Sequence, residues 1–420
     1  MAINTTISLP GDKSISHRAV MLASIANGVS EITNLNDGKD VQSTIQALRA
    51  CGASIDQNGE KVVITGTKLR NPDEPVDCGN SGTSARLLSG LLSSQRLQFS
   101  LTGDASLSAR PMNRIIVPLT EMGCRIESND GLLPLTVDAS NPLNGINYKM
   151  PVASAQVKSS ILLAGLGAES SSNVSELNSS RDHTEIMLQD MGATILVNDN
   201  DIRVEPLSSP LTPINLEIPS DPSSASFFIA LAILAKDSRL TIRNMLLNPT
   251  RIGFMNVLEK INIQMNISNQ HYIHGELCGD VEFISSPINS FEVPAYIIPS
   301  IIDEIPILTF IASQAEGKTI LKGANELRIK ESDRLENMKN FIQGLKGEIT
   351  MYEDGFAING VQVLDEGNVI TEDDHRVAMT AIIANIALGK KILPDNTDCI
   401  KDSYPTFFLD IESIGGMINE

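Results

Sequence analysis

Residues 16–33, Ser16-His17-Arg18-Ala19-Val20-Met21-Leu22-Ala23-Ser24-Ile25-Ala26-Asn27-Gly28-Val29-Ser30-Glu31-Ile32-Thr33, pass from an apolar helical stretch opening on small polar residues to a short β-rich segment. The same passage recurs at Ser84-Ala85-Arg86-Leu87, Ser154-Ala155-Gln156-Val157, Pro222-Ser223-Ser224-Ala225, Asp303-Glu304-Ile305-Pro306 and His375-Arg376-Val377-Ala378. Each helix leads into a segment such as Gln98-Phe99-Ser100-Leu101 or Leu240-Thr241-Ile242. A second helix then ends in a small-residue cap before another strand, as at Ala50-Cys51-Gly52-Ala53, Met122-Gly123-Cys124 and Lys346-Gly347-Glu348-Ile349. Gly or Asn is expected where a helix closes in the left-handed conformation. Six units of about 70 residues fill the chain.

Most units add a further strand after a polar turn, for example Lys61-Val62-Val63-Ile64. The sixth has no room for one, while Thr6-Ile7-Ser8-Leu9 stands alone before the first helix, so the N-terminal strand is expected to complete the sixth unit. The strongest break falls at Asp221-Pro222, an N-cap acid with Pro at the first helical position, after the Pro-rich connector from Pro206 to Pro219. Two three-unit domains follow: residues 12–221, and 1–11 with 222–420. The two chain crossings lead us to expect a hinge and a cleft.

Of 420 residues, 42% are hydrophobic and 20% charged, which excludes a disordered chain. With 51 acidic against 32 basic residues the formal charge is −19, the wrong sign for a general nucleic-acid binder. No apolar run approaches the roughly 18–20 residues of a membrane span. The start lacks a signal-peptide pattern, so a cytoplasmic location is expected. Five scattered cysteines without a C-x-x-C pair read as reduced core thiols, not as a metal site.

In so acidic a chain an anionic ligand needs a local basic pocket, and helix starts, with unsatisfied N–H groups, are where cations collect. The clusters are Gly11-Asp12-Lys13-Ser14-Ile15-Ser16-His17-Arg18, Cys78-Gly79-Asn80-Ser81-Gly82-Thr83-Ser84-Ala85-Arg86 with Arg110-Pro111, and Ser154-Ala155-Gln156-Val157-Lys158-Ser159 with Ser180-Arg181-Asp182-His183. The later half adds Asp303-Glu304, Lys330-Glu331-Ser332-Asp333-Arg334 and Asp373-Asp374-His375-Arg376. Spacing of four puts Lys330 and Arg334 on one helical face. Each cluster alone could be a solvated surface or a plain turn, and Lys158 could snorkel to solvent. Recurrence at the same point of five units favours a site.

At these residues, in this order and across nearly the whole chain, the sequence resembles the 5-enolpyruvylshikimate-3-phosphate synthase (3-phosphoshikimate 1-carboxyvinyltransferase) family. The resemblance implies an α/β (α+β) fold of two domains, each of three βαβαββ units in an inside-out α/β barrel, with the active site in the inter-domain cleft. It implies transfer of the enolpyruvyl group of phosphoenolpyruvate to the 5-hydroxyl of shikimate 3-phosphate, by a monomer, without metal or other cofactor, and inhibition by glyphosate at the phosphoenolpyruvate subsite. Carried over, Lys13, Ser14, Arg18, Ser154, Gln156, Arg181, Asp303 and Lys330 would bind shikimate 3-phosphate. Lys13, Gly82, Arg110, Gln156, Arg334 and Arg376 would hold phosphoenolpyruvate. Glu331 and Asp303 would be the acid–base groups, assisted by Lys13.

Ala155, His183, Glu326 and Lys401 depart from patterns seen in parts of the family. Sister enzymes that transfer enolpyruvate to UDP-N-acetylglucosamine share the fold, but usually carry Lys-Asn where this chain has Lys13-Ser14 and a Cys in the loop before Arg110, which has none here. A catalytically dead scaffold would have no reason to keep both acids beside the cations.

Overall fold

Short polar side chains fix where the leading helices begin. Ser81, Ser154, Asp221 and Asp374 each accept a hydrogen bond from an N–H of the first turn, at Ser84, Val157, Ser223 and Arg376 respectively. The helices they open are Gly82–Ser94, Ala155–Gly165, Pro222–Leu234 and His375–Leu388; Lys13–Ile25 and Ile305–Gln314 complete the set of six. All are buried along most of their length, their small and polar residues included, and so form the core rather than a surface layer. The computed structural model describes residues 2–59 and 61–419.

The described chain forms two compact units. One takes in Lys13–Ile218 with the short stretch Ile273–Glu276; the other takes in the residues up to Asp12, Pro219–Tyr272 and those from Leu277 on. In the first unit Gly82–Ser94 packs against Ala155–Gly165 so closely that a Cβ at Gly90 would lie 2.1 Å from the carbonyl oxygen of Ser160. In the second, Pro222–Leu234, Ile305–Gln314 and His375–Leu388 pack on one another. Phe227, Phe228, Tyr404 and Phe407 fill the space beside them, with ring centroids 5.5–6.2 Å apart.

Among the described residues, five four-stranded sheets and one two-stranded sheet accompany these helices. In Val76–Asp77, Gln98–Thr102, Leu132–Asp138 and Arg125–Asn129 the first pair is parallel and the rest antiparallel, as a βαβαββ unit requires. Among the described residues no sheet closes on itself; open sheets accompany buried helices, as the expected inside-out arrangement requires. The N-terminal strand corrects our expectation. Asn4–Ile7 pairs in parallel with Arg239–Leu246 and so completes the fourth unit, not the sixth. The connector behaves likewise: Asn215–Glu217 pairs in parallel with Val29–Thr33 and completes the first unit. Among the described residues the sixth pairs Gly367–Val369 with Ile392–Pro394 alone, and its tail is tied back through Asn419 to Asn385.

The second helices end in positive-φ residues, among them Gly52 at 88° and Asn262 at 64°. In the fifth unit Lys346, at 65°, takes that role, because a Cβ on Gly347 would meet Gln362, Leu364 and Ile342 at 2.5–2.8 Å. Gly347 is therefore needed for close packing rather than for backbone freedom.

Candidate active site

In the unit built on Lys13–Ile218, the first two turns of Lys13–Ile25 present Lys13, Ser14 and Arg18 on one side. Arg18 is buried and donates from Nε to Thr184 Oγ1 at 2.6 Å, from one terminal nitrogen to the Ser14 carbonyl at 2.9 Å and from the other to Ser159 Oγ at 2.7 Å. Arg181 donates to Ser14 Oγ at 3.2 Å. Two guanidiniums thus converge on Ser14, and two adjacent cations of this kind are suited to a dianionic phosphate. Lys13 Nζ lies 2.8 Å from Asp40 Oδ2. Ser154 caps the helix Ala155–Gly165, and Gln156 in its first turn accepts from Arg86 at 2.7 Å and donates to Thr83 Oγ1 at 2.9 Å.

Gly82 opens its helix between two more guanidiniums. A Cβ there would sit 2.8 Å from a terminal nitrogen of Arg86 and 3.5 Å from one of Arg110. Arg110 is held by the Asn80 carbonyl at 3.3 Å, by Asn80 Oδ1 and by Ser106 Oγ at 3.0 Å. Arg86 stands in the second cluster read from the sequence but was given no role there, and Asp40 was not among the expected site residues. Arg86 lies four residues after Gly82, one turn along the same helix start, a spacing that could have found it. Asp40 carries no such signal.

The other unit gathers carboxylates around one guanidinium. Arg334 has a side chain 1% exposed and contacts Glu331 Oε2 at 2.6 Å, Asp374 Oδ2 at 2.7 Å and Asp303 Oδ1 at 3.3 Å. Burial alone would lower its pKa, but Asp374, Glu331 and Asp303 outweigh burial and raise it. Asp374 is 0% exposed; burial works to raise its carboxyl, yet Arg334 prevails and holds it below the ordinary range. Glu331 and Asp303 keep 22% and 15% of their side chains exposed. Arg376 donates to the Asp303 carbonyl at 3.1 Å, and its Nε is 3.6 Å from Asp303 Oδ1. The arrangement offers two accessible acids beside two cations, with a third acid buried behind them.

Several expectations need correction. Lys330 and Arg334 do not share a helical face: Lys330 follows the 3-10 turn Asn325–Ile329, and the helix begins only at Arg334, capped by Asp333 on Glu336 N–H. Lys158 does not snorkel, since it is buried and paired with Glu176 and Glu185. Among the departures, His183 is buried with Nδ1 2.6 Å from Glu276 Oε1, Lys401 is exposed and pairs with Asp398 at 2.8 Å, and Glu326 lies half-buried in the 3-10 turn. Ala155 is the first residue of its helix.

Comparison with known proteins agrees with this chemistry. The EPSP synthase (3-phosphoshikimate 1-carboxyvinyltransferase) family profile matches residues 1–411. A 3-phosphoshikimate 1-carboxyvinyltransferase of Oceanobacillus iheyensis is 42% identical over 98% of this chain and 97% of its own. One from Thermodesulfovibrio yellowstonii is 44% identical over 97% and 96%. The solved EPSP synthase of Acinetobacter baumannii superposes with a TM-score of 0.87 at 37% identity, covering 100% of this chain and 97% of that one. The enolpyruvyl transferase NikO of Streptomyces tendae, at 16% identity and a TM-score of 0.81, shares the fold.

Proposed function

The chain belongs to the EPSP synthase (3-phosphoshikimate 1-carboxyvinyltransferase) family, and from that premise we propose which of its residues carry the reaction. That reaction transfers the enolpyruvyl group of phosphoenolpyruvate to the 5-hydroxyl of shikimate 3-phosphate and releases inorganic phosphate. Ser14, Arg18 and Arg181 hold the phosphate of shikimate 3-phosphate, with Ser154, Gln156, Lys330 and Asp303 on the rest of that substrate. Support comes from the direct bonds of both guanidiniums to Ser14. Lys13, Gly82, Arg110, Gln156, Arg334 and Arg376 serve phosphoenolpyruvate. A reducing cytoplasm is in keeping with five buried free thiols, that of Cys51 pushed up to about 11 by burial.

The observation that carries the mechanism is the division of labour around Arg334. Asp374, fully buried and with its carboxyl held below the ordinary range by Arg334, matches the guanidinium's charge, leaving the partly exposed Glu331 and Asp303 to exchange protons. Asp303 takes the proton of the 5-hydroxyl as its oxygen attacks C2 of phosphoenolpyruvate, while Glu331 protonates C3. The tetrahedral adduct then collapses: Glu331 recovers the C3 proton, the C2–O bond to phosphate breaks with Lys13 stabilising charge on the departing bridging oxygen, and the proton that Asp303 took from the hydroxyl passes to the released phosphate, which restores both acids.

Arg376→Ala tests the assignment on the phosphoenolpyruvate side. Loss of one charged hydrogen-bonding group should weaken that substrate by about 1.5–3 kcal/mol, with little change for shikimate 3-phosphate. Calorimetric titration of each substrate separates the two, and unaltered phosphoenolpyruvate binding would remove Arg376 from the site. Gly82→Ala should act through the arginines, because its methyl pushes into Arg86 and towards Arg110. Overpacking of this kind costs about 1–2 kcal/mol, so KM for phosphoenolpyruvate should rise roughly tenfold and glyphosate inhibition weaken at least as much. Equal KM and equal inhibition in both proteins would reduce Gly82 to a turn residue.

A further inference from the structure

One buried charge cluster is not used by the mechanism above. Lys158, in the second turn of the helix Ala155–Gly165, has a side chain 2% exposed. Its Nζ lies 2.6 Å from Glu176 Oε1 and 2.6 Å from Glu185 Oε1, carboxylates that are themselves 2% and 3% exposed. It also donates to the Ser180 carbonyl at 3.3 Å, and Ser180 Oγ donates to the other oxygen of Glu176. Burial works to lower the Lys158 pKa, but Glu185 and Glu176 overcome it and keep the ammonium charged. Burial raises the Glu185 carboxyl above its ordinary value despite Lys158, and Glu185 Oε2 is buried without a hydrogen-bond partner. A buried ion cluster of this kind is weak evidence for stability, since apolar residues of the same volume would often serve as well. Its retention points to geometry.

The cluster brackets the segment that carries the substrate arginine. Ser180 and Glu185, both tied to it, flank Arg181, which reaches Ser14, and Thr184, which accepts from Arg18 Nε and bonds Ser159 on the Lys158 helix. Without such ties Arg181 would sit on a loop between the strand Ser172–Ser175 and the helix His183–Asp190, free to sample several positions. We infer that Lys158, Glu176 and Glu185 are positioning residues that set Arg181 and Arg18 for the phosphate of shikimate 3-phosphate. The inference rests on the assignment of those arginines made above.

Steady-state kinetics on the full chain test it. Lys158→Met strands two buried carboxylates and could fail to fold, so it is paired with the neutral triple variant Lys158→Met, Glu176→Gln, Glu185→Gln, which leaves no buried charge uncompensated. In whichever folds, KM for shikimate 3-phosphate should rise about tenfold or more, with kcat within about twofold and KM for phosphoenolpyruvate unchanged. Ser180→Ala removes one tie and leaves the ions in place; a rise of roughly three- to fivefold in the same KM is expected, and this variant decides the matter if neither of the others folds. Unchanged KM for shikimate 3-phosphate in the folded variants, or an equal rise for both substrates, would overturn the positioning role. Failure of the underlying assignment looks different, because Arg181→Ala would then leave KM for shikimate 3-phosphate unchanged.

Discussion

Arg334→Ala is expected to lower the stability of the protein by about 3–5 kcal/mol and to abolish measurable turnover. Sequence alone suggests a milder result, weakened phosphoenolpyruvate binding in an intact fold, because an arginine at a helix start reads as a ligand-facing cation. The structure reverses that weighting. Arg334 is buried among Asp374, Glu331 and Asp303, and its removal takes from Asp374 its main counter-charge in the interior. Asp374 also caps the helix His375–Leu388 and accepts from Ser332, so the damage spreads to that helix start and to Arg376. Thermal or urea unfolding of wild type and variant measures the loss; a stability within 1 kcal/mol of wild type would contradict the account. Acid should mimic part of the effect. The Asp374 carboxyl is depressed in the folded state, so its contribution is complete above the ordinary carboxyl pKa and is lost as pH falls through the lower, folded value. The variant should therefore show a shallower acid dependence of stability than wild type.

Glu331→Gln should give the larger kinetic effect for the smaller structural change. The amide keeps the volume of the side chain and can still accept from Arg334, so folding and the binding of both substrates should stay within about twofold of wild type. What is lost is the proton that moves to and from C3, worth roughly a hundred- to ten-thousandfold in kcat. A fall in kcat with unchanged KM is the signature of a group acting only in the transition state. A wild-type rate would end the acid–base role of Glu331. A raised KM with normal kcat would make it a binding residue instead.

Repeats were legible in the sequence because apolar helices and their caps are local signals. The six leading helices begin where Ser81, Ser154, Asp221 and Asp374 can cap them, or close to charged and polar residues already visible in the chain. The first strands of most units were not legible. Val76–Asp77 and Glu292–Val293 are two residues long, and Asn147–Lys149 and Asn215–Glu217 three, too short for alternation to show. Their parallel partners are set by the fold rather than by a turn, which is why Asn4–Ile7 could be placed in the wrong unit.

The candidate site was legible as a set of residue types and less so as a geometry. Lys13, Ser14, Arg18 and Arg181 do come together, with Arg18 and Arg181 both bonded to Ser14. The shared face expected for Lys330 and Arg334 assumed a helix running through both, although Asp333 followed by Glu336 is a helix-start pattern that places the first turn at Arg334. The burial of Lys158 had no local signal at all, since both its acidic partners lie far along the chain. Arg86 was within reach of the sequence, one turn beyond Gly82, and only its bond to Gln156 shows that it belongs.

The central claim, enolpyruvyl transfer to shikimate 3-phosphate, is tested most directly by phosphate release with phosphoenolpyruvate and each of two acceptors in parallel. Release that depends on both phosphoenolpyruvate and shikimate 3-phosphate, with UDP-N-acetylglucosamine giving only background, is the result predicted here. Release with UDP-N-acetylglucosamine but not with shikimate 3-phosphate, or no release with either acceptor, would contradict it.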